Sequence, residues 1–212
     1  RSNPLKNIRK VGIAGIGKCV PEKVLTNEEI SRMVDTSDEW IMTRSGIRER
    51  RIAEPGVASS DIGVVAAREA LASARVAPEK VDMIIAATST PDYLFPTTAC
   101  IMQRDLGCVN AGAFDLLAAC TGFVYALTTG WQYVATGQAD NVLIVGVETL
   151  SKITNYKDRG TCVLFGDAAG AVLLTPDNGS ELLYCKLGAD GQYEDLIKLP
   201  GGGSRNPVTA ET

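Results

Sequence analysis

Histidine is absent from all 212 residues. For this chain alone, that removes the Ser-His-Asp triad, the Cys-His pair and every His-ligated metal. No C-x-x-C occurs among Cys19, Cys100, Cys108, Cys120, Cys162 and Cys185, so zinc-ribbon and thioredoxin-type readings fail. Length and spacing also argue against a disulfide framework, and free thiols in a reducing compartment are expected. No apolar run reaches the ~18 residues of a membrane span, and the most apolar stretch, 116–127, reads as buried core. Large charge of either sign is missing too. With 21 basic and 25 acidic residues the net charge is −4, which supplies no global field for nucleic acid or an anionic membrane. The first ten residues are basic, but the following VGIAGIG is too short and Gly-rich for a signal-peptide core. The chain opens on Arg1 rather than Met and closes on PGGGSRNPVTAET, a loop composition, so a partial record is expected.

What remains is ordinary globular material, 45% hydrophobic and 22% charged, enough for one large domain or one and a fraction. The apolar run 11–20, ending at Pro21, predicts a strand. Thr26 and Glu29 form a capping box before a short helix, and Ser37 caps a second that stops at Gly46. Ser59 and Ser60 precede a long helical pattern with Ile62, Val65, Ala66, Ala70 and Leu71 on one face. Strands are expected over 81–87, 112–119, 141–147 and 181–187. Helices are expected over 97–106, stopping at Gly107, and 121–136, stopping at Gly137. Two short apolar runs flank Gly166 and Asp167. VDMIIAA and NVLIVGV are apolar on both faces, which predicts a largely parallel α/β sheet covered on both sides.

Cys120 stands at a strand-to-helix junction, where a helix dipole and free N–H groups favour a thiolate. The dipole contributes about 0.3–1 kcal/mol at exposed sites, less than one pKa unit, so position alone leaves open a buried cysteine acting as a small hydrophobe. Trp40 lies on a short polar helix near Thr36 and Arg44, suited to stacking a planar ligand beside phosphate-holding arginines, or to packing that helix on the body. Arg159, in KDRGT between polar residues and a glycine, reads from sequence alone as a solvated loop residue rather than a ligand contact. The glycines of GIAGIG have the wrong spacing for a dinucleotide fingerprint. Asp167 has no partner carboxylate at metal-ligand spacing and reads as a structural turn residue, so no metal site is expected.

The segments VDTSDEWIMTRSGIRERRI, AFDLLAACTGF and DRGTCVLFGDAAGAVLL resemble the 3-oxoacyl-acyl-carrier-protein synthase III family of the thiolase superfamily, over about 11–201. The resemblance implies a thiolase-like fold of two βαβαβαββ halves. Residues 1–10 would form a tail, 11–175 the complete first half and 176–212 only the start of the second. It implies an acyltransferase that begins type II fatty acid synthesis. Cys120 would take an acyl group from acyl-CoA, and the acyl-enzyme would condense with malonyl-acyl carrier protein as carbon dioxide leaves. Trp40 and Arg159 would sandwich the CoA adenine, with Thr36 and Arg44 at the same entrance. Phe95 would reach the partner subunit's acyl pocket in a homodimer and favour a short primer such as acetyl. The first halves would meet edge to edge, along the strand before Cys120. No cofactor is implied, since acyl-CoA is a substrate, and no nucleic-acid or membrane partner. The setting would be the bacterial cytoplasm, or the plastid stroma for a plant protein.

The family also needs a His and an Asn from its second half, and this sequence holds no histidine. Residues 1–212 alone are therefore expected to be inactive in condensation. The alternatives are a related acyltransferase using Cys120 without decarboxylation, and an inactive fragment that only dimerises or binds CoA.

Overall fold

Burial on both faces of the apolar strands decides the architecture. The computed structural model describes residues 8–177 and 182–209. Strand β1 (Val11–Cys19) is followed by a small two-stranded ladder, β2 (Lys23–Thr26) and β3 (Glu49–Ile52), with helices α1 (Asn27–Ser31) and α2 (Asp38–Ser45) between its strands. Then come α3 (Ser59–Ala74), β4 (Met83–Ala87), α4 (Thr98–Leu106), β5 (Gly112–Leu116), α5 (Gly122–Ala135), β6 (Val142–Thr149), α6 (Arg159–Cys162) and β7 (Asp167–Pro176). Without the ladder and α6, the order is βαβαβαββ. The five main strands form one sheet in the order β1-β7-β6-β4-β5.

Alternate residues of each strand enter opposite cores. Ile84, Leu143 and Val145 pack with Ala66, Ala70 and Met102 under α3 and α4. Ile85, Val142 and Ile144 pack with Ala126 and Val134 of α5 on the other face. The GIAGIG glycines serve this packing: a Cβ on Gly15 or Gly17 would overlap the carbonyl oxygens of Ala70 and Ala66, so only glycine lets α3 lie this close to β1. Arg9 ties the chain entering β1 to the end of α5, donating to the Val134 and Ala139 carbonyls and pairing with Asp140 at 2.6 Å.

Several boundaries follow the capping residues read from sequence. Thr26 and Glu29 form a true capping box, Ser37 accepts from the Trp40 N–H, and Gly46 and Gly107 end their helices at φ 72° and 77°. Two expectations need correction. The sheet is mixed: β4 runs parallel to β5 and β6, but β7 is antiparallel to both β6 and β1. Two-sided apolarity reports burial, not strand direction. The expected strand over 181–187 is also absent: residue 181 lies outside the described residues, and 182–187 carry no regular structure. That segment instead runs against α5, where Tyr125 Oη donates to the Gly188 carbonyl at 3.0 Å and Thr128 Oγ1 lies 2.7 Å from Cys185 Sγ. The β2–β3 ladder was not legible, because KVLT and ERRI are short, charged and without period.

Candidate active site at one edge of the sheet

Strand direction brings the predicted residues to one side. β4, β5 and β6 are mutually parallel, and β1 shares their direction because both it and β6 are antiparallel to β7. The segments leaving the C-terminal ends of these four strands therefore emerge at the same edge of the sheet, the usual place for a site in α/β proteins. Cys120 follows β5, Phe95 follows β4, Arg159 follows β6, and Thr36, Trp40 and Arg44 lie in the insertion after β1.

β5 ends three residues earlier than the sequence suggested, and a 3-10 turn over Ala119–Thr121 makes the junction. Ala119 takes φ 45°, a left-handed conformation that costs an L-residue roughly 1–2 kcal/mol. The turn leaves Cys120 exposed at the start of α5. No side chain caps that helix, whose first residue, Gly122, donates its N–H to the Ala119 carbonyl of the 3-10 turn. Three other cysteines are held as thiols. Burial raises Cys19, Cys162 and Cys108, the last to about 11, assisted by Glu69, Asp158 and Glu79 respectively. Cys100 is exposed on α4, where its thiol lies 3.7 Å from the Ala113 carbonyl oxygen.

Arg159 Cζ lies 4.3 Å from the centroid of the Trp40 ring, and Arg44 Cζ lies 5.7 Å from it. Trp40 is half-buried and packs against the cluster that holds Ile41, Cys162 and Val163, which is the packing role that the sequence offered it. Asp158 caps α6 beneath Arg159, accepting from Gly160 N–H at 2.9 Å and Thr161 Oγ1 at 2.6 Å, and these bonds hold its carboxyl below the usual range. Among the described residues neither Arg44 nor Arg159 forms an ion pair. Thr36, one residue before the Ser37 cap, has a buried hydroxyl oxygen without a hydrogen-bond partner.

Phe95 and Leu94 are 84% and 83% exposed, yet their loop is pinned at its base. Glu148 accepts from Ser89 N–H and Thr90 Oγ1, and Asp92 accepts from Ser60 N–H and Oγ. Asp167 has the structural role expected of it. Its buried carboxylate accepts from the Ala53 and Ser151 N–H groups and from Ser151 Oγ. Among the described residues, no three His, Cys, Asp or Glu side chains are grouped as for a metal, and no helix is long and apolar enough to cross a membrane.

Sequence reasoning missed a buried polar chain behind the Trp40 helix. Arg50, only 4% exposed, donates to the Val163 carbonyl and to Asn27 Oδ1, and Asn27 Nδ2 donates to Asp38 Oδ1 at 2.7 Å. Arg50 sits in the run RERR, which looks like a solvated surface.

The family model described as 3-Oxoacyl-[acyl-carrier-protein (ACP)] synthase III matches residues 114–191. The beta-ketoacyl-[acyl-carrier-protein] synthase III of Symbiobacterium thermophilum is 56% identical over 97% of this chain and 62% of its own length. That of Caldanaerobacter subterraneus subsp. tengcongensis is 54% identical over 95% and 61%. The crystal structure of 3-oxoacyl-(acyl carrier protein) synthase III from Pseudomonas aeruginosa PAO1 superposes with a TM-score of 0.86 at 44% identity, over 93% of this chain and 62% of that one. The chain thus spans about three fifths of the length of these relatives. Over that span it is 44–56% identical to them and shares their fold, so the chain is similar to 3-oxoacyl-[acyl-carrier-protein] synthase III over about three fifths of that protein's length.

Proposed function

We propose that the full-length protein loads an acyl group from acyl-CoA onto Cys120 and condenses it with malonyl-acyl carrier protein to give 3-oxoacyl-acyl carrier protein. The observation that carries this is the arrangement along the sheet edge. The insertion bearing Trp40 leaves from β1 and brings Trp40 against Arg159, which follows β6, while the thiol follows β5, two strands beyond β6 in the sheet order. Two strand spacings are about 10 Å. A ligand engaging both must have a flat, anionic head for Trp40, Arg44 and Arg159 and a long thin arm ending in a thioester. Coenzyme A thioesters have that form.

Trp40 stacks the adenine, Arg159 covers its other face, Arg44 meets phosphate, and the Thr36 hydroxyl gains a partner. Cys120 Sγ, as thiolate, attacks the acyl carbonyl carbon. The carbon–sulfur bond to CoA then breaks, and the CoA thiolate leaves and takes a proton from solvent. The dipole at the start of α5 favours the anionic sulfur. The decarboxylative step needs donors for the developing enolate oxygen, which the family takes from its second half.

Among the described residues β5 pairs only with β4, which leaves an edge that favours a two-fold partner joined strand to strand. In that assembly the projecting Phe95 enters the partner's acyl site and favours a short primer. We place it in the cytoplasm with no nucleic-acid partner, in keeping with its net charge of −4. The test is to incubate the full-length protein with labelled acetyl-CoA and digest it. Label on the Cys120 peptide, followed by 3-oxoacyl product when malonyl-acyl carrier protein is added, supports the reading. Label confined to another cysteine peptide overturns it.

A further inference from the structure

We infer that Arg50, Asn27 and Asp38 form a strut that positions Trp40 against Arg159, making them positioning residues for recognition of the nucleotide end of the donor. The inference rests on the coenzyme reading of that pair. Trp40 and Arg159 stand on separate short helices, α2 and α6, whose own hydrogen bonds do not fix one against the other. Asn27, 1% exposed, grips α2 at both ends: its Nδ2 donates to Asp38 Oδ1 in the first turn at 2.7 Å and to the Ile47 carbonyl just past the last turn at 2.8 Å. Its Oδ1 accepts from Arg50 Nη1. Arg50 Nε and Nη2 both donate to the carbonyl of Val163, the residue that ends α6. The chain of bonds thus runs from both ends of the Trp40 helix, through two buried side chains, to the end of the Arg159 helix.

The choice of residue supports more than packing. A buried guanidinium is costly, and Arg50 has no carboxylate ion pair among the described residues. An apolar side chain would fill the space at lower cost. What it would not do is fork between a carbonyl on one element and an amide on another. The surrounding apolar cluster, Leu25, Ile30, Ile41, Cys162 and Val163, packs the two helices together through non-directional contacts, whereas the hydrogen bonds of the chain have fixed directions. Stacking across an aromatic face depends on how the two helices are set, because the guanidinium must stay over the ring face.

The test compares two donors in the full-length protein: acetyl-CoA, and acetyl-N-acetylcysteamine, which has the thioester end of the arm without the nucleotide. The readout is the ratio of their kcat/KM values for acylation. Asp38→Ala, Asn27→Ala and Arg50→Met should lower that ratio by ~5-fold or more, the scale of one lost hydrogen bond, chiefly through KM for acetyl-CoA. Asp38→Asn, which keeps the accepting Oδ1, should restore it. Asp38 is exposed, so that pair remains informative if the Arg50 variant fails to fold. Equal losses on both donors, tracking a lowered Tm, would overturn the strut and leave the network a purely structural one. Trp40→Ala is run alongside. If it lowers the ratio and the network variants do not, the strut is wrong and the coenzyme reading stands. If Trp40→Ala also leaves the ratio unchanged, the coenzyme reading fails and takes the strut with it.

Discussion

Arg159 closes directly on Trp40, with its guanidinium carbon 4.3 Å from the ring centroid. A base held between them needs two stacking gaps, about 7 Å in all. On the proposed reading Arg159 withdraws by roughly 3 Å as the ligand enters, losing a cation–π contact of about 0.5–1 kcal/mol and regaining one on the base. In a Trp131→Phe background Trp40 is the only tryptophan, and its fluorescence should change on addition of CoA. Trp40→Ala should raise the CoA dissociation constant by about 5- to 150-fold, from stacking of roughly 1–3 kcal/mol. An unchanged affinity by calorimetry would leave Trp40 with its packing role alone.

Cys120→Ala should abolish acylation with little change in stability, since the side chain is exposed and belongs to none of the buried clusters. Ala119 is the more sensitive neighbour. At φ 45° a β-branched residue is strongly disfavoured, so Ala119→Val should lower unfolding free energy by about 1–3 kcal/mol. It should also slow acylation by re-aiming the thiol. Chemical denaturation and the acetyl-labelling rate check both, and a Val variant of normal stability and rate would show that the turn is not constrained.

The Phe95 reading predicts a graded change in primer preference. At 84% exposure Phe95→Ala should fold normally, so its effect should fall on the acyl group accepted. Each added methylene is worth about 1–3 kcal/mol in a pocket, so kcat/KM should shift stepwise toward longer acyl-CoA donors. An unchanged chain-length profile would assign primer selection to other residues.

An open β5 edge predicts a dimer. Light scattering on the full-length protein at micromolar concentration should give twice the chain mass. A monomer under those conditions would mean that the edge is protected in another way, and Phe95 could not reach a partner.

Cys108 supplies a pH signature. Its folded pKa is raised from 9.0 to about 11, chiefly by burial and then by Glu79. Below pH 9 the thiol is protonated in both folded and unfolded chains, and its contribution is complete. Between pH 9 and 11 the unfolded thiol ionises and the folded one does not, so that stability is lost as pH rises. Denaturant titrations across this window should show a steeper alkaline loss in wild type than in Cys108→Ala. Equal slopes would place the alkaline loss elsewhere.

The sequence was most readable where one residue dictates local geometry. Thr26 with Glu29, Ser37, Gly46 and Gly107 mark helix ends because their side chains or permitted φ values act within a few residues. Cys120 was legible as a junction, but the left-handed Ala119 that turns it outward was not, because nothing distinguishes that alanine in LLAACTG. Arg50 was invisible for a related reason. Its burial depends on Val163 and Asn27, 113 and 23 residues away, and a charge in a charged run gives no sign of such partners. The direction of β7 was lost because apolar burial is the same whichever way a strand runs.

The ladder that carries Trp40 interrupts the fold between β1 and α3, and both of its ends return to the same side of the sheet. Its small core, separate from the two that sandwich the main sheet, is shared with Cys162 and Val163 of the segment after β6. Thr36, Trp40 and Arg44 thus lie in an inserted module, while Arg159 and Cys120 lie on segments that leave the strands of the scaffold. The segment of about forty residues between β1 and α3 could be exchanged for one that grips a different carrier, and the thiol, its helix and the sheet beneath them would keep their places. In such a fold, what is delivered and what is done to it can diverge independently.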